Sequence, residues 1–342
     1  MIIDAAALQL AGLRILPGLI NAHDHLEFAL FPRLGAGPYP NATAWARDIY
    51  HPGEDPVRKH LRVPKRLRLI WGGLRNLLAG VTTVCHHNPY HPVFDTGFPV
   101  RVVRRFGWAH SFAFDNVAAR FNASPAQAPF ILHLGEGADS TSRDEIFRLH
   151  ELGALQPRTV LVHAVGLNSE GWELVRRSGA AVVWCPRSNL FTLGATLDVR
   201  KLLVAQIPVA LGADSPLTAA GDLLDEMRFA MEQYGLSPSE TLALAAASAA
   251  RLLGLPERRG DYIAVREFGA PPDAVVIGGR LRLVSKELAF ILPRAERTRW
   301  SPLRLCGGPP VLVPFPVRAL IDQTRAALGE AAIYLGGREV IA

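Results

Sequence analysis

Cysteine is scarce. Cys85, Cys185 and Cys306 are the only three in 342 residues, and they form neither a CxxC pair nor an even set, which excludes a disulfide-stapled scaffold and fits a reducing compartment. Lysine is almost as rare, with Lys59, Lys65, Lys201 and Lys286 alone, so the net charge of +6 rests on arginine. No apolar stretch reaches the about 18 residues needed to span a bilayer, and the opening MIIDAAALQLAG lacks the basic region of a signal peptide. These absences predict a cytoplasmic protein with no membrane partner. What is abundant is apolar material: hydrophobic residues make up 49% and charged ones 20%, which excludes intrinsic disorder and supplies a large core.

The basic excess is local. Ten Lys or Arg residues lie between Arg58 and Arg105 against one acid, Asp95. Clustered positive charge concentrates anions, but no nucleic-acid-binding motif accompanies it. A solvated helix face with salt-bridge partners is expected, and nucleic acid is not an expected partner.

Short runs rich in Val, Ile and Leu recur along the chain: RILPGLI (14–20), GVTTV (80–84), PFIL (129–132), TVLV (159–162), AAVVW (180–184) and PVALG (208–212). Continuous rather than alternating hydrophobicity marks strands buried on both faces, as in a parallel sheet covered by helices. Segments of helical composition separate them at 66–79, 142–153, 169–178 and 196–205. The last four runs return every 20 to 30 residues or about that, the size of one strand, one helix and two short loops. This rhythm predicts repeated βα units.

Between the first two runs, residues 27–64 form a long insertion with six prolines and the aromatics Phe28, Phe31, Tyr39, Trp45 and Tyr50. Such a loop in a compact domain is functional or disordered, and its aromatic content points to a lid or pocket wall. Beyond the runs, 237–255 reads as an Ala-rich helix with Ser237 or Ser239 near its start, and 257–342 as a mixed appendage with apolar runs at AVVIGG and ELAFIL and a helix at 317–329. Trp108, Trp172 and Trp184 are expected in the core.

Ionisable residues close several of these runs. His23 and His25 form HxH at the end of the first strand, where positions i and i+2 project to one side and Asp24 points away. His133 follows PFIL, His163 follows TVLV, and Asp214 closes VALGAD. In a closed α/β barrel the carboxyl ends of the strands converge on one mouth, where the active site sits. Imidazoles and a carboxylate gathered there make a nitrogen and oxygen shell suited to Zn²⁺ or Fe²⁺. Glu136, three residues after His133 and between Gly135 and Gly137, is placed to turn back over that point as a proton shuttle.

The segments LPGLINAHDHL, GVTTVCHH, HLGE, VLVHAVGL, VVWCPRSNL and LGADSPL, followed by the AAASAARLLGL helix, resemble the amidohydrolase superfamily, and within it the cytosine deaminase and triazine hydrolase branch. The resemblance covers about residues 14 to 255. It implies a distorted (β/α)8 barrel, of the TIM type, that holds one divalent metal through His23, His25, His133 and Asp214. The family position matched by Glu136 moves protons, and the one matched by His163 orients the attacking water or the substrate. Two-metal relatives bridge their ions with a carboxylated lysine or a glutamate on a middle strand; here no lysine lies between Lys65 and Lys201 and no glutamate between Glu54 and Glu136, so one ion is expected, zinc ahead of iron. Cys85 is expected to be a buried structural thiol rather than a bridge to a second ion. The interval from His25 to His133 is short for the family, and its strands three and four are not located beyond a candidate at 106–114.

The expected layout is residues 1–13 as an N-terminal strand of a remnant β-sandwich, 14–256 as the barrel, and 257–342 as a C-terminal β/α appendage. Further strand-end residues, His86, His87, Arg187 and Asn189, are candidate contacts to a small-molecule substrate. The expected reaction removes ammonia from an aminated heterocycle or amidine. Asp214 accepts the proton of the attacking water, Glu136 protonates a ring nitrogen and then the leaving amine, and His163 stabilises the developing oxyanion. Cleavage of an amide or cyclic amide, or removal of an aromatic halide, would use the same residues. A non-catalytic barrel that binds without turnover is the rival from another class, and association into a homo-oligomer is an expectation by analogy alone.

Overall fold

The run at residues 14–20 is not one strand: the chain passes from one sheet to another at Gly18, where a side chain would not fit. A Cβ on Gly18 would stand 2.4 Å from Cγ2 of Thr82. The chain breaks there into β1 (Arg14–Pro17) and β2 (Leu19–Asp24), which join different sheets. The computed structural model describes residues 8–9, 12–257 and 259–341. The expected strand over residues 1–13 falls mainly outside these; Leu8 and Gln9 are helical, and the first described strand is β1.

Two parallel sheets follow. β2, β3 (Val81–His86) and β4 (Arg101–Val102) form the first, and β5 (Gly107–Trp108), β6 (Phe130–Leu134), β7 (Thr159–His163), β8 (Ala181–Trp184) and β9 (Val209–Leu211) the second. β3, β6, β7, β8 and β9 are buried at every position, as their unbroken apolar runs require. The edge strands of the two sheets come together after β9, where the Asp214 N–H donates to His23 O at 3.0 Å and the Ala213 N–H to Asn21 Oδ1 at 3.0 Å. The candidate strand at 106–114 contracts to β5, and β4 was not anticipated. At two residues each, neither carries a hydrophobic pattern.

Helices Lys65–Leu78, Ser140–Glu151, Ser169–Ser178 and Val199–Val204 lie close to the expected segments. The Ala-rich segment is two helices, Pro238–Leu244 and Ala247–Leu252, separated where Ala246 leaves helical geometry at φ −141°. Ser237 caps the first by a reciprocal capping box with Glu240. No helix among the described residues is long and apolar enough to cross a membrane.

The C-terminal region contributes strands β10 (Tyr262–Val265), β11 (Ala274–Ile277), β12 (Arg280–Ser285), β13 (Ser301–Leu305), β14 (Val311–Val313), β15 (Tyr334–Leu335) and β16 (Arg338–Ile341), which with β1 form one antiparallel sheet. ELAFIL, an apolar run by composition, is a 3-10 turn over Lys286–Ile291. Helix Val317–Leu328 docks on the parallel half through Thr324, whose hydroxyl accepts from Trp71 Nε1 at 2.9 Å. Within the insertion, Phe31 and Val57 pack with Leu217, and Phe28, Trp45 and Ile49 pack around them. The insertion is a built wall.

Candidate metal centre and active site

β2 delivers His23 at its end and His25 just beyond it on the same side, while β6 delivers His133 and the turn after β9 delivers Asp214. Nε2 of His133 lies 3.3 Å from Nε2 of both His25 and His23, and Asp214 Oδ1 lies 3.7 Å from His23 Nε2 and 3.8 Å from His25 Nε2. Donors on a tetrahedral shell of radius about 2.0–2.1 Å stand roughly 3.3 Å apart. These four separations are close to that length. His133 Nδ1 faces the His110 carbonyl at 2.8 Å, an arrangement that makes Nδ1 the donor and leaves the Nε2 lone pair toward the other ligands. Burial, reinforced by the neighbouring imidazoles, pushes the pKa values of His23 and His133 well below the ordinary histidine value, so both are neutral and able to ligate. Burial works against ionisation of Asp214, but His25, His163 and the Ser188 hydroxyl together hold its carboxyl below the usual value.

Glu136 and His163 stand beside this cluster. His163 Nε2 is 3.5 Å from Glu136 Oε1, and His163 Nδ1 donates to Asn189 Oδ1 at 2.7 Å. Burial raises the Glu136 carboxyl to about 7. The backbone is strained here: of the four non-glycine residues with positive φ among those described, His163 (73°), Ala164 (53°) and Asp214 (53°) belong to this site. The insertion clamps the Glu136 loop, since Asn41 bridges Gly137, the Ala42 N–H donates to Glu136 O at 2.9 Å, and the Ala138 N–H donates to Pro40 O at 2.8 Å.

A cavity of about 1140 Å³ opens over these groups, with His25, His133, Glu136, His163 and Asp214 on its floor. The insertion forms one wall, notably with Phe28, Phe31 and Trp45, and the segment after β5 forms another, with His110 and Phe112. Trp108, expected in the core, lines this cavity instead. Trp184 is fully buried.

The candidate substrate contacts do not line it. His86 is buried behind His25, with Nδ1 accepting from the Leu26 N–H at 3.3 Å and Nε2 3.4 Å from Glu27 Oε2. His87 packs on His133 with ring centroids 4.4 Å apart and donates through Nε2 to Ala109 O at 3.0 Å. Arg187 turns away to Ala220 O at 2.7 Å and Glu226 at 3.6 Å. Asn189 reaches the site only through His163. A residue at a strand end points into the mouth or into the neighbouring loop layer, and spacing does not separate these. Cys85 is buried among Ala22, Val103 and Ile131, and burial pushes its thiol pKa far up, as befits a structural residue.

A buried polar staple escaped notice in the sequence. Arg75 Nη1 donates to both carboxylate oxygens of Asp24, at 3.2 and 3.3 Å, and to Asp214 O at 3.0 Å. Asn76 and Asn21 add bonds to Asp24 at 2.8 and 3.0 Å. The residue between the two histidines therefore ties β2 to the Asp214 turn. Arg75 and Asn76, polar residues within the apolar second half of the helix Lys65–Leu78, were the available signal.

Comparison with known proteins accords with this geometry. Residues 127–296 match the amidohydrolase family. An aminodeoxyfutalosine deaminase from Deinococcus radiodurans is 39% identical over 110 residues, which cover 31% of this chain and 26% of that protein. A 5-methylthioadenosine/S-adenosylhomocysteine deaminase from Syntrophobacter fumaroxidans is 26% identical across 80% of this chain and 74% of its own length. Among solved structures, an atrazine chlorohydrolase from Arthrobacter aurescens with zinc and atraton superposes with a TM-score of 0.70 at 17% identity, covering 93% of this chain and 88% of the other. An adenosine deaminase from Xanthomonas campestris with bound zinc gives 0.67 at 18% identity, with 92% and 85% covered.

Proposed function

The chain belongs to the amidohydrolase superfamily, and from that premise we propose that it is a metal-dependent aminohydrolase that releases ammonia from an aminated heterocycle or amidine. The observation that carries this reading is the convergence of His23, His25, His133 and Asp214 donors at 3.3–3.8 Å, with the buried Glu136 carboxyl beside them at the cavity floor. Support for ammonia as the leaving group comes from the relatives named as deaminases of aminodeoxyfutalosine, 5-methylthioadenosine, S-adenosylhomocysteine and guanine.

The two parallel sheets are read as arcs of one distorted (β/α)8 barrel, closed where the Asp214 turn meets His23. His23, His25, His133 and Asp214 would hold one divalent ion, with zinc favoured by their nitrogen and oxygen donors and by the zinc of the structural neighbours. When bound, such an ion brings the pKa of water down to about 7 and so supplies a nucleophile at neutral pH. The residues of the chain do the rest. Asp214 takes the proton of the attacking water while Ser188 and Ser215 hold its carboxylate. Glu136, raised to about 7 and so partly protonated at neutral pH, would give its proton to the ring nitrogen, take up the remaining hydroxyl proton of the adduct as the carbonyl forms and pass it to the departing amine, the proton held by Asp214 then restoring its acid form. His163, whose Nδ1–H is engaged by Asn189, would stabilise the developing oxyanion through Nε2–H when its ring carries a proton on both nitrogens. The cavity takes a substrate considerably larger than a single ring, and its aromatic walls stack planar groups.

The test is metal analysis of the purified protein, followed by an ammonia-release screen over aminated purines, purine nucleosides, pyrimidines, triazines and pterins. Stoichiometric metal with release from at least one class is expected. A metal-loaded protein that liberates no ammonia from any class contradicts the reading.

A further inference from the structure

Arg75 apart, which braces Asp24 and the Asp214 turn, the basic stretch from Arg58 to Arg105 stays out of the metal site, and part of it converges elsewhere. A second cavity, of about 650 Å³, lies toward the amino ends of the parallel strands, lined by Arg101 at the start of β4 and Pro129 just before β6. The metal ligands occupy the opposite, carboxyl ends. Arg104 and Arg105 join Arg101 on its wall, and Arg280 and Arg282 face them from β12. Positions 280 and 282 share one face of the strand, while Leu281 between them is buried on the other.

These charges are only partly balanced. Arg101 pairs with Asp261 through two bonds of 3.0 Å, and Arg104 pairs with Asp95 at 2.9 Å. Arg105 and Arg280 have no acidic partner within 4.0 Å among the described residues. Arg282 is held by the Phe98 and Pro99 carbonyls, and its Nε, buried, meets no acceptor. Burial and the nearby Arg101 and Arg280 push the Arg282 pKa down, a cost that an anion in the cavity would relieve. The remaining lining is mainly apolar, with Phe98, Val100, Val103 and Leu253 prominent, beside Thr83, Gln127 and the Asp95 carboxylate that pairs with Arg104. Guanidinium groups match phosphate oxygens in pairs.

We infer that this cavity is a second ligand site, which takes a phosphorylated small molecule with its phosphate groups on Arg280, Arg282 and Arg105 and its apolar or aromatic body against Phe98 and Leu253. The site is independent of the reaction proposed above, and its test reads binding rather than turnover. Metal-loaded protein is titrated calorimetrically with ATP, and separately with inorganic triphosphate, both without magnesium. Saturable ATP binding is expected, weakened by about tenfold or more in Arg280→Ala and in Arg105→Ala, the scale of one lost charged hydrogen bond, and unchanged in Glu136→Gln. ATP is expected to bind at least as tightly as triphosphate because its nucleoside covers the apolar floor. Arg105 and Arg280 are exposed, so both variants are expected to fold, with the circular dichroism spectrum as the check. No saturable binding of ATP, triphosphate tighter than ATP, or ATP binding that both arginine variants leave unaltered overturns the inference.

Discussion

Ser188 donates its hydroxyl hydrogen to Oδ2 of Asp214 at 2.6 Å, the shortest of three bonds, with Thr218 Oγ1 to Oδ2 and the Ser215 N–H to Oδ1, that set which carboxylate oxygen faces the histidines. Oδ1 is left toward His23 and His25. Partners that orient a ligand change metal affinity about 10- to 100-fold when removed. Ser188→Ala is therefore expected to weaken zinc binding by that factor in competition with a chromophoric chelator, with the circular dichroism spectrum unchanged. Undiminished affinity would show that the other two bonds suffice to orient Asp214.

Glu136→Gln keeps the shape of the side chain and removes its titrating proton. Turnover is expected to fall by about 10²- to 10⁴-fold, the usual share of a general acid and base, while metal content stays at the wild-type level. In the metal-free protein a glutamate carboxyl should titrate near 7 by ¹³C NMR, and that signal should be missing from the variant. Glu145, also raised to about 7 by burial, is assigned in the same way from Glu145→Gln.

Glu226 gives stability a pH dependence. It is buried, and desolvation outweighs its Arg187 contacts to raise its carboxyl from 4.5 to about 8. The folded state thus holds this proton more tightly than the unfolded state does. The contribution is complete below the unfolded value and is lost as pH rises through about 8. Glu226→Gln, which keeps an acceptor for the Arg187 N–H at 3.1 Å, is expected to raise the melting temperature relative to wild type more at pH 9 than at pH 5. Parallel melting curves at the two pH values would count against this assignment.

Arg75→Ala leaves Asp24 buried without its cation and the Asp214 and Gly221 carbonyls without their donor. Breaking one partner of a buried pair costs about 3–5 kcal/mol. Chemical denaturation should show a lower midpoint with an unchanged slope, together with poorer metal retention, since both tied segments carry ligands.

Gly137 has no room for a side chain. A Cβ there would stand 2.1 Å from Ser142 Oγ, 2.7 Å from Asn41 Cβ and 2.8 Å from Pro40 O. Gly137→Ala is expected to push the insertion off the Glu136 loop, lowering turnover while metal content holds. Equal turnover would mean that the clamp does not position Glu136.

Much of the scaffold was legible because buried parallel strands leave unbroken Val, Ile and Leu runs, and five of the six runs became strands close to where they were read. β4 was not, and the candidate at 106–114 keeps only the two residues of β5, since strands this short are defined by their neighbours. The change of sheet at Gly18 was not legible, since β1 pairs with β10 and β2 with β3, partners far away in the chain. The convergent histidines and Asp214 were visible because each stands at a strand's end. The orientation of His86, His87 and Arg187 was not, because a position fixes which end of the sheet a residue occupies and not which layer its side chain enters.

By itself the sequence determined the order of strands and helices and the kinds of donor available at the strand ends, since local hydrophobicity and residue chemistry act along the chain. Tertiary structure alone decided that Asp24 meets Arg75, that Asn189 holds His163, that the insertion clamps Glu136, and that arginines from β4 and β12 share a cavity. Those relationships join residues distant in sequence, and only the packing of the sheets brings them within bonding distance.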